Sequence, residues 1–392
     1  MSHAVELPEV SPDEAAHSAQ LVARIRAAID AAGGWISFAR FMQMALYEPG
    51  LGYYSAGARK IGAAGDFITA PEVAPVFSRC LATQCAEVLD ALGGGDILEF
   101  GAGSGTMAAV MLHELEALGV LPGRYLILDV SADLRERQRE TIAAAAPHLL
   151  PRVEWLDRLP QHFSGVMVAN EVLDAMPVER FVVRDGTVLC LGVAWGEGSF
   201  ETVEAPAPNE LRDRVLRLRE DAGDSWPNGY RSEVNMGLRG WLGSVADCLE
   251  RGVMLFVDYG LPRRELYAAE RSDGTLLCHF RHRFHDDPLL LPGLQDITSW
   301  VDFTAVAEAA VEAGLEVKGY TTQAHFLIGN DLTRHLSDVS GVDLVQRVNL
   351  SRQAMLLTLP GEMGERFKVI ALARNCDAPL RGLAVRDLTH AL

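Results

Sequence analysis

Apolar positions along the chain follow two alternating rhythms. From Asp96 on, strand-like segments near 97–100, 124–130, 152–156, 166–170 and 253–258 alternate with helical periodicity near 106–118, 132–145 and 232–250. Runs such as Val166-Met-Val-Ala169 and Val253-Met-Leu-Phe-Val257 show no polar alternation. They predict strands buried on both faces, hence a parallel sheet covered by helices on each side. A helix near 304–314 and strands near 315–322 and 367–374 complete the layer, so the expected fold class is α/β.

Upstream, Leu21, Val22, Ile25 and Ile29 recur at helical spacing, and Gly33-Gly34 ends that segment. Residues 1 to about 17 read as loosely attached. Ile36 to Leu46 predicts a second amphipathic helix capped by Ser37, followed by the turn-rich Tyr47-Glu-Pro-Gly-Leu-Gly-Tyr-Tyr54. A Gly-rich loop then leads into a helix over Pro75–Leu92. Pro71 and Glu72 in that loop suit a helix's first turn, so Glu72 reads equally as a dipole partner or a ligand contact. Three stretches interrupt the alternation: 178–230 with a hairpin signal at Asp185-Gly186, a polar 260–302, and a helical 331–358. Insertions at the carboxyl ends of parallel strands commonly build substrate platforms.

The candidate chemistry centres on Asp96-Ile-Leu-Glu-Phe-Gly-Ala-Gly-Ser-Gly-Thr-Met107, a strand that runs through a glycine turn into a helix. Such a turn lets a ligand approach the backbone at a helix N-terminus. Gly101, Gly103 and Gly105 stand two apart, and Thr106 fills the slot where a dinucleotide fingerprint requires its third glycine. Glu99 places a carboxylate beside the turn, a poor neighbour for pyrophosphate and a good one for a cation. The pattern points to S-adenosylmethionine, whose methionyl end carries an ammonium and a sulfonium. Asp129, at the tip of the next strand, is placed to accept both ribose hydroxyls; it reads alternatively as a helix cap competing with Ser131 and Asp133.

Asn170-Glu-Val-Leu-Asp-Ala-Met-Pro177 follows an apolar strand, where an open α/β sheet has its ligand crevice. In a helical turn Glu171 and Asp174 share one face and could clamp a guanidinium, whose donors form a fork. Carboxylates there would orient one nitrogen for methyl transfer and take its proton. The alternative is a capped turn with solvated acids. Asn170 would anchor the methionyl moiety or a substrate carbonyl. His279, His282 and His285 stand three apart, but interleaved basic residues favour a docking loop over a metal site, and no metal is expected. No G-x-S-x-G elbow supports hydrolysis.

Composition narrows the classes. The net charge of −18 argues against a nucleic-acid partner and is compatible with an Arg-bearing protein. Six scattered cysteines form no C-x-x-C pair, so reduced thiols are expected. The polar N-terminus shows neither signal peptide nor presequence, and no apolar run is long enough to span a bilayer. A cytoplasmic, bacterial-type protein is the resulting expectation, with its oligomeric state open.

Several segments together resemble the MidA/NDUFAF7 family of S-adenosylmethionine-dependent methyltransferases, from about residue 20 to 375. They are Tyr47–Tyr54, Gly65-Asp-Phe-Ile-Thr-Ala-Pro-Glu72, Leu98–Gly105, Asn170–Pro177, Asp258-Tyr-Gly260, and Gly274-Thr-Leu through Gln295-Asp-Ile-Thr298 to Val301-Asp-Phe303. The resemblance implies a class I, Rossmann-like methyltransferase sheet with an N-terminal helical segment and an inserted substrate-binding domain. For the mitochondrial relatives it implies protein arginine methylation linked to complex I assembly. It implies that Gly101, Gly103, Gly105 and Asp129 bind cofactor, that Thr69, Pro71 and Glu72 close over it, that Asp157 meets adenine, and that Glu171 and Asp174 face substrate. Trp300 departs from the pattern, since histidine is expected before Val-Asp-Phe.

The organisation expected is a helical region with a cofactor-closing loop over 1–92 and a core of 93–177, 231–260 and 303–375. A substrate domain would come from 178–230, 261–302 and 331–358. A non-catalytic cofactor-binding assembly factor and a small-molecule methyltransferase are the competing functions.

Overall fold

The computed structural model describes residues 7–56, 69–337 and 344–392. Half of the Gly65–Glu72 segment, residues 65–68, therefore lies outside the described residues, which resume at Thr69. The chain opens with helices α1 (Pro12–Ala31) and α2 (Phe38–Tyr47). Helix α1 begins within the stretch expected to be loose, because Ser11 and Glu14 form a reciprocal capping box. Ser37 caps α2, accepting from the Arg40 N–H, while Trp35–Ser37 just before it is a strand.

Seven strands, with the short Val301–Asp302 paired in parallel to the end of the fifth, form the central layer: β1 (Asp96–Phe100), β2 (Tyr125–Leu128), β3 (Val153–Leu156), β4 (Phe163–Asn170), β5 (Leu249–Leu261), β6 (Glu316–Thr322) and β7 (Phe367–Arg374). Their order is β6-β7-β5-β4-β1-β2-β3. Strands β1 to β5 pair in parallel, but β7 runs antiparallel to both β5 and β6. The all-parallel expectation is corrected there, since an antiparallel neighbour needs no crossover to enter between two strands.

Adjacent residues of one strand face opposite cores. Ile97 packs with α3 (Pro75–Leu92) and α4 (Thr106–Ala117), while Leu98 packs with α6 (Leu238–Cys248) and α7 (Phe303–Glu312). Helix α5 (Ala132–Ala145) adds Ile142 to the first core. Helix α3, grouped by sequence with the N-terminal region, thus belongs to this sheet's cover.

A second sheet joins Trp35–Ser37, Thr187–Gly196, Glu179–Arg184 and Arg231–Val234, with Ser199–Pro206 paired to Thr187–Gly196. Its hairpin turns at Asp185 and Gly186, both with positive φ, as the sequence predicts. Residues 231–234, read by sequence as the start of a core helix, instead pair with Glu179–Val182. Cross-strand bonding overrides local helical period here, and α6 begins at Leu238.

A third sheet, Leu277–Phe280, Arg283–His285 and Asp296–Thr298, packs through Cys278 and Ile297 against α1 and α2. Its hairpin turn carries Arg281, which reaches Glu14 at 2.7 Å and the Glu9 carbonyl. The ion pair joins the histidine-rich loop to the N-terminal helix. Helices Leu332–Ser337 and Leu344–Thr358 occupy the last insertion. Among the described residues no helix is long and apolar enough to cross a membrane.

Candidate active site

The carboxyl ends of β1, β2, β4 and β5 open into a cavity of about 690 Å³, a size that suits a cofactor with a substrate side chain. Gly101, Gly103 and Gly105 all adopt positive φ at the exit of β1. A Cβ on Gly105 would lie 2.8 Å from the Gln138 Cα, and one on Gly101 would lie 3.3 Å from Val172. Only glycine lets this turn sit flush against α5 and leave its backbone to the cavity.

Glu99 is buried beneath the turn and accepts the Tyr125 hydroxyl. Burial pushes its carboxyl up to about 7, against the pull of Tyr125. Asp129 is also buried, and burial raises its carboxyl. Oδ1 accepts the Ser131 N–H at 3.0 Å and Oδ2 accepts Gln138 Nε2 at 2.8 Å. Ser131 takes the cap of α5, accepting from Leu134, so Asp129 is not needed as that cap.

Thr69, Pro71 and Glu72 line the same cavity on and beside a short helix, Ala70–Val73. Glu72 accepts the Ser104 hydroxyl, which ties this helix to the glycine turn. Asp157 is placed elsewhere. Its side chain is 89% exposed and pairs with Arg135 at 2.6 Å, and it does not line the cavity. Arg135, anchored on the Asp129 and Leu156 carbonyls, holds that carboxylate at the surface.

Asn170, Glu171 and Asp174 converge on the other wall of the cavity. The turn holding them is built by Asp258, whose Oδ2 accepts the N–H groups of Val172, Leu173 and Asp174 at 3.2, 2.9 and 3.3 Å. Glu171 leaves β4 with φ 54, a left-handed conformation held by its N–H to the Val257 carbonyl. Its carboxyl takes the Asn170 amide at 3.0 Å and the Ala70 N–H, which contributes the link to the Ala70–Val73 helix.

Burial and then Asp174 push Glu171 up to about 8. Burial raises Asp174 to about 6, and a hydrogen bond from Tyr259 opposes it. Burial and these two neighbours raise Asp258 as well, against its backbone N–H donors. Two acceptors in this wall, Asn170 Oδ1 and Asp174 Oδ1, are buried without a hydrogen-bond partner. An orphaned buried acceptor is costly.

Six carboxyl side chains line the cavity, from Glu72, Glu99, Asp129, Glu171, Asp174 and Asp296, against the single guanidinium of Arg366 among the described residues. His279 adds no charge, because burial and His285 push it down to about 4. Asp296 comes from the third sheet and accepts the Tyr54 hydroxyl at 2.9 Å. Tyr47 stacks on Tyr54 at 5.5 Å and donates to the Ala175 carbonyl. Trp300, the departure from the family pattern, lines the cavity under Arg271.

Roles for Asp258, Tyr259, Asp296 and Gln138 escape sequence reasoning. The first two carried a signal, since an acid and an aromatic end the β5 run. Gln138 carried none, being one polar residue on a polar helix. The His279–His285 strands form a hairpin, and no group of side chains fit for a metal occurs among the described residues. All six cysteines are buried and free.

The geometry has counterparts among known proteins. A family model described as "Putative S-adenosyl-L-methionine-dependent methyltransferase" matches residues 80–321. The mitochondrial protein arginine methyltransferase NDUFAF7 homolog of Drosophila melanogaster is 28% identical over 403 residues, covering 94% of this chain and 88% of its own. The Homo sapiens protein of that name is 27% identical, covering 86% of this chain and 80% of its own. A Burkholderia thailandensis structure bound to S-adenosyl-homocysteine is 44% identical with a TM-score of 0.94, covering 99% of this chain and 100% of that one. The curated relatives are named as mitochondrial, which overturns the cytoplasmic placement expected from the N-terminal sequence.

Proposed function

Because the chain belongs to this family of S-adenosyl-L-methionine-dependent methyltransferases, with its class I fold and its cofactor, we propose that it N-methylates arginine side chains of a protein substrate. The cofactor supplies an electrophilic methyl group on a sulfonium. The glycine turn leaves its backbone open to the methionyl end, and buried Glu99 offers a counter-charge for the ammonium. Asp129 presents acceptors to the ribose, and Thr69, Pro71 and Glu72 cover the ligand from the Ala70–Val73 side.

On the opposite wall the residues await a group rich in donors. The two orphaned oxygens of Asn170 and Asp174, beside Glu171, carry this reading. A guanidinium has five N–H donors in a plane and no acceptor, so it satisfies them together. Glu171 and Asp174 would hold one nitrogen in line, localise positive charge on the others and accept the proton released on transfer. Asp258 fixes both in place without contacting the substrate. The curated relatives' names as protein arginine methyltransferases support the same substrate class.

The test is tritiated-methyl labelling of an extract from cells lacking the protein, with the purified chain added. A labelled protein band that acid hydrolysis resolves to methylarginine supports the proposal. Label in a small metabolite, or none despite tight cofactor binding, overturns it. Glu171→Gln and Asp174→Asn should bind S-adenosylhomocysteine within about twofold of wild type yet lose about 10²–10⁴ in transfer rate. Unchanged turnover in both removes their role.

A further inference from the structure

Gln138 has no assigned part in binding or catalysis, yet its side-chain amide organises the cofactor wall. The residue is fully buried on α5. Its Nε2 donates to Asp129 Oδ2 at 2.8 Å and to the Gly103 carbonyl at 3.1 Å. The Trp155 indole N–H donates to its Oε1 at 2.9 Å. An indole nitrogen can only donate, so Trp155 dictates which end of the amide is oxygen and aims both Nε2 protons at the cavity wall. One amide thereby couples the glycine turn, the acid of β2 and an aromatic of β3.

The consequence falls on Asp129. Ser131 occupies one direction on Oδ1 and Gln138 one direction on Oδ2. The Val130 N–H bonds the same carboxylate, so three donors fix it where it lines the cavity. The acceptor capacity left on a carboxylate clamped in this way suits vicinal hydroxyls. Burial pushes the Asp129 carboxyl up, and the Ser131 N–H and Gln138 amide draw it back toward the acceptor-only form.

We propose that Gln138 is a positioning residue that clamps the Asp129 carboxylate for the two ribose hydroxyls, and so sets a preference for ribonucleoside over deoxyribonucleoside ligands. This rests on the reading that Asp129 meets the ribose. Calorimetry of the full chain with S-adenosylhomocysteine and with its 2′-deoxyadenosyl analogue tests it.

Wild type should favour the ribose form by about tenfold or more, the usual strength of a hydrogen bond to a charged group. Gln138→Met keeps the volume and removes the donors. It should cut the ratio below about threefold while the deoxy analogue's affinity moves by less than about twofold. A packing role alone would weaken both ligands in parallel; a preserved ratio overturns the proposal. Should Gln138→Met fail to fold, Trp155→Phe removes the donor that orients the amide. The ratio should then fall, and a preserved ratio again overturns the proposal. Asp129→Asn separates the two claims: if it too preserves the ratio, the ribose reading itself has failed.

Discussion

Glu171 combines a left-handed backbone with a carboxyl raised to about 8, both unfavourable away from a functional site. Its ordinary value is 4.5, so across the interval up to about 8 the folded chain holds a proton that the unfolded chain has released. The stability tied to that proton is fully present below the lower value and is lost as pH rises through the upper one. Glu171→Gln has no such proton. From about pH 5 to about pH 8.5 the melting temperature of ligand-free Glu171→Gln should therefore gain on that of wild type in scanning calorimetry. A constant gap, or one moving the other way, excludes the raised carboxyl. Transfer should carry the matching sign, rising over the range in which Asp174 and Glu171, at about 6 and about 8, lose their protons.

Two arginines in contrasting settings hold elements to one another. Arg263, its side chain 7% exposed, meets Asp302 at 3.2 Å, Asp221 at 3.0 Å and Glu308 at 2.5 Å. Those acids lie on the cap of α7, on helix Asn209–Asp221 of the insertion, and within α7. Arg263→Met leaves Asp302 and Glu308 with longer contacts to Arg214, with Asp221 facing solvent, and should cost about 1–3 kcal/mol, read as a fall in denaturation midpoint. Arg281→Ala cuts the exposed link from the third sheet to α1 and should cost no more than about 1 kcal/mol. Equal effects would mean that burial does not govern either link. Gly105→Ala acts on the docking of α5, since its Cβ meets backbone at 2.8 Å with φ at +84. It should weaken S-adenosylhomocysteine by more than about tenfold in calorimetry, and undiminished binding would refute the cradle.

At the scale of the molecule, two sheets and the N-terminal segment meet around one acidic cavity. The central sheet supplies Glu99, Asp129, Glu171 and Asp174, the third sheet supplies Asp296, and the N-terminal segment supplies Tyr47 and Tyr54. A ligand bound there links all three and should stabilise them as a unit. At a hundredfold excess over its dissociation constant, S-adenosylhomocysteine should add about 2.7 kcal/mol and raise the melting temperature by several degrees. Gly103→Val should abolish that rise, and a rise of equal size in the variant would displace the ligand from the glycine turn.

Much of this was legible from local pattern. The apolar runs of β1 to β5, the spacing of Gly101, Gly103 and Gly105, and the polar cluster after β4 are short-range signals that backbone chemistry alone makes. The sequence by itself therefore determined the strand-turn-helix core, its class of cofactor and the wall that bears Glu171 and Asp174. Only the tertiary structure decided that 231–234 leave the core for a second sheet, that β7 enters antiparallel, and that Asp157 turns away to Arg135. It alone brought Gln138 to Asp129 and Asp258 beneath its three N–H groups. Those outcomes depend on partners distant along the chain, and neither periodicity nor residue type records which distant group will satisfy a buried donor or acceptor.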